Sequence, residues 1–147
     1  MQSDPVAQIK DLVLGYADAL NLYDLEAFGD TFAEDGVWDV TPYFKGEGRQ
    51  GVVSVFATQQ KMFSWVYQVV HGTRVLKIEG DRAWARSTIV EYGNRHGTAW
   101  FLLGVYHDEC ARQGDRWRFL RRRFDPLYMG PPDLSASPAL YPAPRHF

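Results

Sequence analysis

The sequence predicts an α+β fold in which three helices precede a curved, mainly antiparallel sheet. Two observations carry this expectation: apolar residues recur at helical spacing only as far as Gln60, and β-branched and aromatic residues then crowd four long segments joined by hairpin-length turns. Asp4-Pro5 has the form of an N-cap followed by a proline at the first helical position, and Ile9, Leu12, Val13, Tyr16 and Leu20 continue the helical spacing, so the first helix runs from Pro5 to Asn21. Asp24 can cap a shorter second helix with Leu25, Phe28 and Phe32 on its apolar stripe, ending near Asp35-Gly36. Val37 to Val40 reads as a short strand and Lys45-Gly46-Glu47-Gly48 as a loop. Val52, Val53, Phe56 and Gln60 mark a third helix.

Four strands follow, over Trp65–Ile78, Arg82–Tyr92, Thr98–Ala111 and Arg116–Phe124. The turns between them are Glu79-Gly80-Asp81, Gly93-Asn94 and Gln113-Gly114-Asp115. Such short connections make the strands an antiparallel meander, with the helices on its concave face. The chain divides into a domain over residues 1–124 and a tail over 125–147 that holds six of the eight prolines. That composition excludes a helix or a central strand, while Leu127, Tyr128, Met129, Leu134, Leu140, Tyr141 and Phe147 predict a tail packed on the domain or on a neighbouring subunit.

With 147 residues and 46% apolar content the chain can bury one sizeable core. Sixteen Lys and Arg against 18 Asp and Glu, with no long block of one sign, argue against a nucleic-acid partner or a polybasic membrane anchor. The single Cys110 cannot form an internal disulfide, and no Cys/His cluster has zinc-ligand spacing. No segment has the length of a bilayer span or the pattern of a signal peptide, so a cytoplasmic protein is expected. Aromatic residues make up 15% of the chain, which fits an apolar ligand cavity with polar tips at hand. There is no phosphate-binding glycine loop, no His-Glu-x-x-His and no Gly-x-Ser-x-Gly, which leaves acid/base chemistry without a cofactor as the economical enzymatic reading.

Several motifs stand in a characteristic order: Tyr16-Ala17-Asp18-Ala19-Leu20, Asp24-Leu25-Glu26-Ala27-Phe28, Phe32-Ala33-Glu34-Asp35-Gly36-Val37-Trp38, Gly80-Asp81-Arg82-Ala83, Gly104-Val105-Tyr106-His107-Asp108 and Asp115-Arg116-Trp117-Arg118-Phe119 with Arg122. Over residues 5–125 this order resembles the SnoaL-like branch of the NTF2-like superfamily, and most of all its scytalone dehydratases, bile-acid 7α-dehydratases and hexachlorocyclohexane dehydrochlorinases. The resemblance implies a cone-shaped α+β barrel and cofactor-free removal of a proton and a leaving group. It also implies a base on the first long strand, a histidine in those enzymes, oriented by an aspartate after the first helix. Asp24 matches the aspartate by position. The strand alignment, however, sets Gln68 where the base stands and leaves His71 three residues on.

His71 is the acid/base candidate because an imidazole exchanges protons near neutral pH. Residues 68 and 71 face opposite sides of a regular strand, so only one can enter the cavity, unless a bulge beside Gly72 turns His71 inward. Asp24 would orient His71, or serve only as a helix cap. Tyr16 sits in a Tyr-x-x-Ala-x-Asn setting similar to that of a catalytic tyrosine in a steroid isomerase of the superfamily; it would polarise a substrate carbonyl, or fill the core. Trp38 matches a pocket tryptophan of the dehydrochlorinases, and Tyr43 and Tyr106 could present hydroxyls to a substrate. Asp108 shares a strand face with Trp100, Leu102 and Tyr106, with Arg122 as its ion-pair partner or as a clamp on a substrate anion. His96 falls in a turn and His107 on the face opposite Asp108.

The expected function is therefore a cofactor-free, dehydratase-like lyase acting on a small, largely apolar, oxygenated metabolite of polyketide, steroid-like or aromatic type. The alternatives are an isomerase or cyclase on the same substrates, and a non-catalytic ligand-binding protein or a subunit resembling the β subunit of aromatic-ring dioxygenases. In each case the outer sheet face should form a homodimer or, failing that, a homotrimer.

Overall fold

The computed structural model describes residues 4–136. Helix α1 spans Pro5–Asn21; Val6 N–H donates to the Asp4 carboxylate at 3.0 Å, and Ile9, Val13, Tyr16, Ala17, Ala19 and Leu20 are buried. Helix α2 spans Leu25–Asp30, and strands β1 (Phe32–Val40) and β2 (Phe44–Glu47) follow. Helix α3 covers Gly48–Gln60, and the meander consists of β3 (Trp65–Glu79), β4 (Arg82–Arg95), β5 (Thr98–Gln113) and β6 (Arg116–Gly130). The six strands lie in the order β2-β1-β6-β5-β4-β3. Every pairing is antiparallel except β1 with β6, so the sheet is mixed, and it is curved without closing. Tyr16, Phe28, Phe32, Trp38, Phe56, Tyr106, Phe119 and Phe124 form an aromatic core between the helices and the concave face. No helix among the described residues is long and apolar enough to cross a membrane.

The fold departs from the sequence expectations in four places. Helix α2 ends at Asp30, five residues before Asp35, and Phe32 already begins β1. Phe28 and Phe32 have helical spacing, but tertiary contacts decide: Arg116 and Arg118 bond the Asp30 carboxylate, and Phe119 N–H donates to the Thr31 carbonyl at 2.8 Å, which pulls the chain onto the sheet. Lys45 to Glu47 are not loop but part of β2, paired with β1. Gly93 and Asn94 lie within the β4–β5 ladder, and the reversal comes at His96 and Gly97, both at positive φ. Strand β6 passes Phe124, the expected end of the last strand, and continues to Gly130 through Pro126. This is tolerated because β1 pairs with β6 only as far as Asp39↔Arg123, leaving Pro126 hydrogen-bonded neighbours on the β5 side alone. The remainder of the expected tail, with Leu140, Tyr141 and Phe147, lies outside the described residues.

Candidate active site

The concave face holds a cavity of about 430 Å³ between the open end of the sheet and the loop after α3. Its walls are mostly apolar, with Leu20, Val40, Phe44, Val66, Leu102 and Phe124 among them. Such a volume is in the range that encloses a small organic ligand. Tyr43, between β1 and β2, and Gln59 and Gln60 of α3 reach it, and the other polar groups come from strand positions whose inward facing follows from the two-residue repeat.

On β3, Val66 and Gln68 face inward, and Gln68 is 3% exposed. Asn21, at the end of α1, fixes this stretch: its side chain donates to the Gln68 carbonyl at 2.9 Å and accepts from the Gln68 N–H at 2.6 Å. A bulge does occur beside Gly72, between Val70 and Gly72, but His71 is its unpaired residue and stays exposed. The bulge turns Thr73 and Val75 inward instead. The expectation that His71 enters the cavity is therefore not met. Asp24 is exposed and caps α2, accepting from the Ala27 N–H at 3.0 Å, and no hydrogen bond joins it to His71.

Opposite Gln68 on β4 stands Glu91, which the sequence reading did not single out. Gln68 Nε2 donates to its Oε2 at 3.3 Å, while Gln68 Oε1, fully buried, has no partner. Loss of water raises the Glu91 carboxyl from 4.5 to about 7; the Gln68 amide and the nearby Trp100 indole, which favour the ionised form, oppose that rise. The Trp100 N–H meets hydrogen-bond geometry with no acceptor. A signal for Glu91 was present in the sequence: on β4 the inward row Ala83, Ala85, Ser87 and Ile89 is small or apolar, and Glu91 continues it.

A second polar group lies at Tyr106. Trp38 Nε1 donates to the Tyr106 hydroxyl at 3.3 Å, and the hydroxyls of Tyr16 and Tyr106 are 3.0 Å apart. Trp38, Tyr106 and Tyr43 line the cavity, Tyr43 as an exposed residue at its edge. Tyr16, completely buried, does not line it and stands behind Tyr106. Burial raises the pKa of both phenols, which keeps them neutral hydrogen-bond donors. Asp108 and Arg122 do not line this cavity either. They pair with each other through Nε–Oδ1 at 2.9 Å, both side chains without exposure, and the guanidinium lies against the rings of Tyr16, Tyr106 and Phe119 at 4.1, 3.9 and 4.3 Å. This pair supports the tyrosines from below and is not placed to hold a substrate anion. His107, on the outer face as expected, contacts Asp125 at 3.1 Å. Among the described residues no three His, Cys, Asp or Glu side chains converge as a metal site would require.

The comparisons agree with this architecture. No curated protein matches the chain. A solved structure of an assigned aromatic ring hydroxylase from Novosphingobium aromaticivorans is 27% identical, covers 88% of this chain and 95% of its own, and has a TM-score of 0.78. A scytalone dehydratase assigned in the same species is 18% identical over 96% of this chain and 94% of its own, with a TM-score of 0.80. The hexachlorocyclohexane dehydrochlorinase LinA-type3 from Novosphingobium barchaimii is 17% identical over 96% and 92%, with a TM-score of 0.79. The sequence profile of the SnoaL-like domain matches residues 2–123, and the chain belongs to that SnoaL-like family of the NTF2-like superfamily.

Proposed function

We propose that the protein is a cofactor-independent lyase of the dehydratase type, or an isomerase on the same substrates, with Glu91 as its acid/base group. The observation that carries this reading is a single carboxyl group in an apolar, ligand-sized cavity, with its pKa raised to about 7. A group poised near the working pH can both take and return a proton, a contribution typically worth ~10²–10⁴-fold in rate. The dehydratase and the dehydrochlorinase of the same fold bear names that denote eliminations, which accords with this chemistry.

In the proposed reaction Glu91 takes the proton from a substrate carbon, and the C–H electron pair forms the new double bond. The bond to the leaving hydroxyl breaks on the neighbouring carbon, and the hydroxyl departs as water with the proton that Glu91 has taken, which returns the carboxylate to its starting state. In the isomerase variant Glu91 returns the proton to another carbon. Tyr106 hydrogen-bonds the substrate oxygen: when Tyr16 and Trp38 both donate to the Tyr106 oxygen, its own O–H is free to point at the ligand. Trp38, Tyr43 and Gln68 bind the substrate, which is small, largely apolar and oxygenated, of polyketide, steroid-like or aromatic type. Self-association as a homodimer fits the outer sheet face, where Tyr67 and Tyr92 are exposed.

The test is proton exchange. Cyclic ketones and hydroxyketones are incubated with the protein in deuterated water, and deuterium uptake or loss of water is followed by mass spectrometry. Wild-type protein should catalyse one of these, and Glu91→Gln should reduce it by roughly 10²-fold or more while remaining folded. Full activity in Glu91→Gln would refute the assignment.

A further inference from the structure

Arg95 is the cation at the other end of the cavity. It stands four residues beyond Glu91 on β4 and faces inward with it, which separates the two Cα atoms by about 13 Å along the strand. The guanidinium lies over the Trp100 ring at 4.9 Å and the Phe63 ring at 5.6 Å, and those two rings meet edge to face at 5.9 Å. Between Arg95 and Glu91 the floor is therefore aromatic: Trp100 pairs with Gly93, whose missing side chain leaves the space that Phe63 occupies, since a Cβ there would meet the Phe63 ring at 3.3 Å. Among the described residues no carboxylate forms an ion pair with Arg95. It is half-buried without such a partner, whereas Arg116 and Arg118 share Asp30 and Arg82 pairs with Glu109.

We infer that Arg95 is a substrate-binding residue and that the substrate is an apolar carboxylic acid, its carboxylate held by Arg95 and its reacting carbon at Glu91. Resting on rings, the guanidinium keeps its in-plane N–H donors free, and these match a carboxylate two by two. A single unpaired cation balances one negative charge. A phosphate monoester, with close to two charges at neutral pH, would carry an excess toward Glu91, so a monoanion is the better fit. The aromatic floor suits a ring or short chain joining the acid to the reacting carbon. This assignment of the reacting end rests on the acid/base reading of Glu91, whereas the capture of the carboxylate does not.

The test uses matched ligands that differ only in charge, 4-phenylbutanoate and 4-phenylbutanamide, titrated into the full chain by calorimetry, with quenching of Trp38 and Trp100 fluorescence as a second readout. Wild-type protein should bind the acid roughly 10-fold or more tightly than the amide. Arg95→Gln should abolish that preference while leaving amide binding within about twofold, and Arg95→Lys should keep part of it. Equal affinity for both ligands, failure of both to bind at millimolar concentration, or an acid preference that survives in Arg95→Gln overturns the inference. Glu91→Gln separates the two readings: a normal acid preference in that variant together with unimpaired proton exchange would leave Arg95 assigned and remove Glu91.

Discussion

Gln68 and Glu91 oppose each other in register across β3 and β4, and one amide hydrogen bond of 3.3 Å joins them inside the cavity. The Glu91 carboxyl has its folded pKa raised from 4.5 to about 7, so between these values the folded protein holds a proton that the unfolded chain has released. Stability from this group is fully present below pH 4.5 and is lost as pH rises through 7. Glu91→Gln removes that loss. Thermal or urea unfolding from pH 5 to 8 should therefore show the variant gaining on wild type with pH, by on the order of 2 kcal/mol at the upper end. Parallel pH curves for the two proteins would mean that Glu91 is not desolvated in the fold.

Among the described residues the Asp108–Arg122 pair is the most deeply buried charge pair, with both side chains at zero exposure and Arg122 Nη1 without a partner. Removing the acid leaves a guanidinium among three aromatic rings with nothing to balance it. Asp108→Ala should cost about 3–5 kcal/mol in urea unfolding, and adding Arg122→Met to it should restore a large part of the loss. A cost of the size seen at exposed ion pairs, below about 1 kcal/mol, would contradict this account of the pair.

The Tyr16 hydroxyl meets the cavity through Tyr106. Its ring is held by Phe28, Phe32, Trp38 and Phe119, so Tyr16→Phe keeps the packing and removes only the hydroxyl that meets Tyr106. The stability cost should be about 1 kcal/mol. Turnover should fall through kcat with KM unchanged, because Tyr106 keeps its place but loses the neighbour that orients its proton. Tyr106→Phe, which removes the cavity-lining hydroxyl proposed to hydrogen-bond the substrate, should lower kcat further than Tyr16→Phe does; the reverse order would place Tyr16 in the cavity.

Much of the fold was legible because it depends on local chemistry. Asp4-Pro5 starts α1 where its capping predicts, and the parity of Tyr106 and Asp108 correctly puts both on the inner face of β5. The end of α2 was not legible: Phe28 and Phe32 have helical spacing, and the choice is made by Arg116, Arg118 and Phe119, some ninety residues away. At the site, the competition between Gln68 and His71 turned on a bulge that the sequence allows but whose direction it does not determine. Once Gln68 occupies the cavity, its partner across the ladder becomes the titrating group, and a pairing register is a property of the sheet and not of either strand alone.

His71 and Asp24 provide the converse case, residues of the right chemical type in the wrong place. His71 is the exposed bulge residue of β3, and Asp24 already spends its carboxylate on the Ala27 N–H at 3.0 Å. His71→Ala should change stability by less than about 0.5 kcal/mol and leave turnover intact. Asp24→Ala should cost about 0.5–2 kcal/mol through the lost helix cap, with turnover unaffected in the fraction that stays folded. Both variants are measured by urea unfolding and by the exchange assay at a temperature well below the transition. A large fall in kcat from either one, with the variant still folded, would return the proton transfer to the outer side of β3 and displace Glu91 from that role.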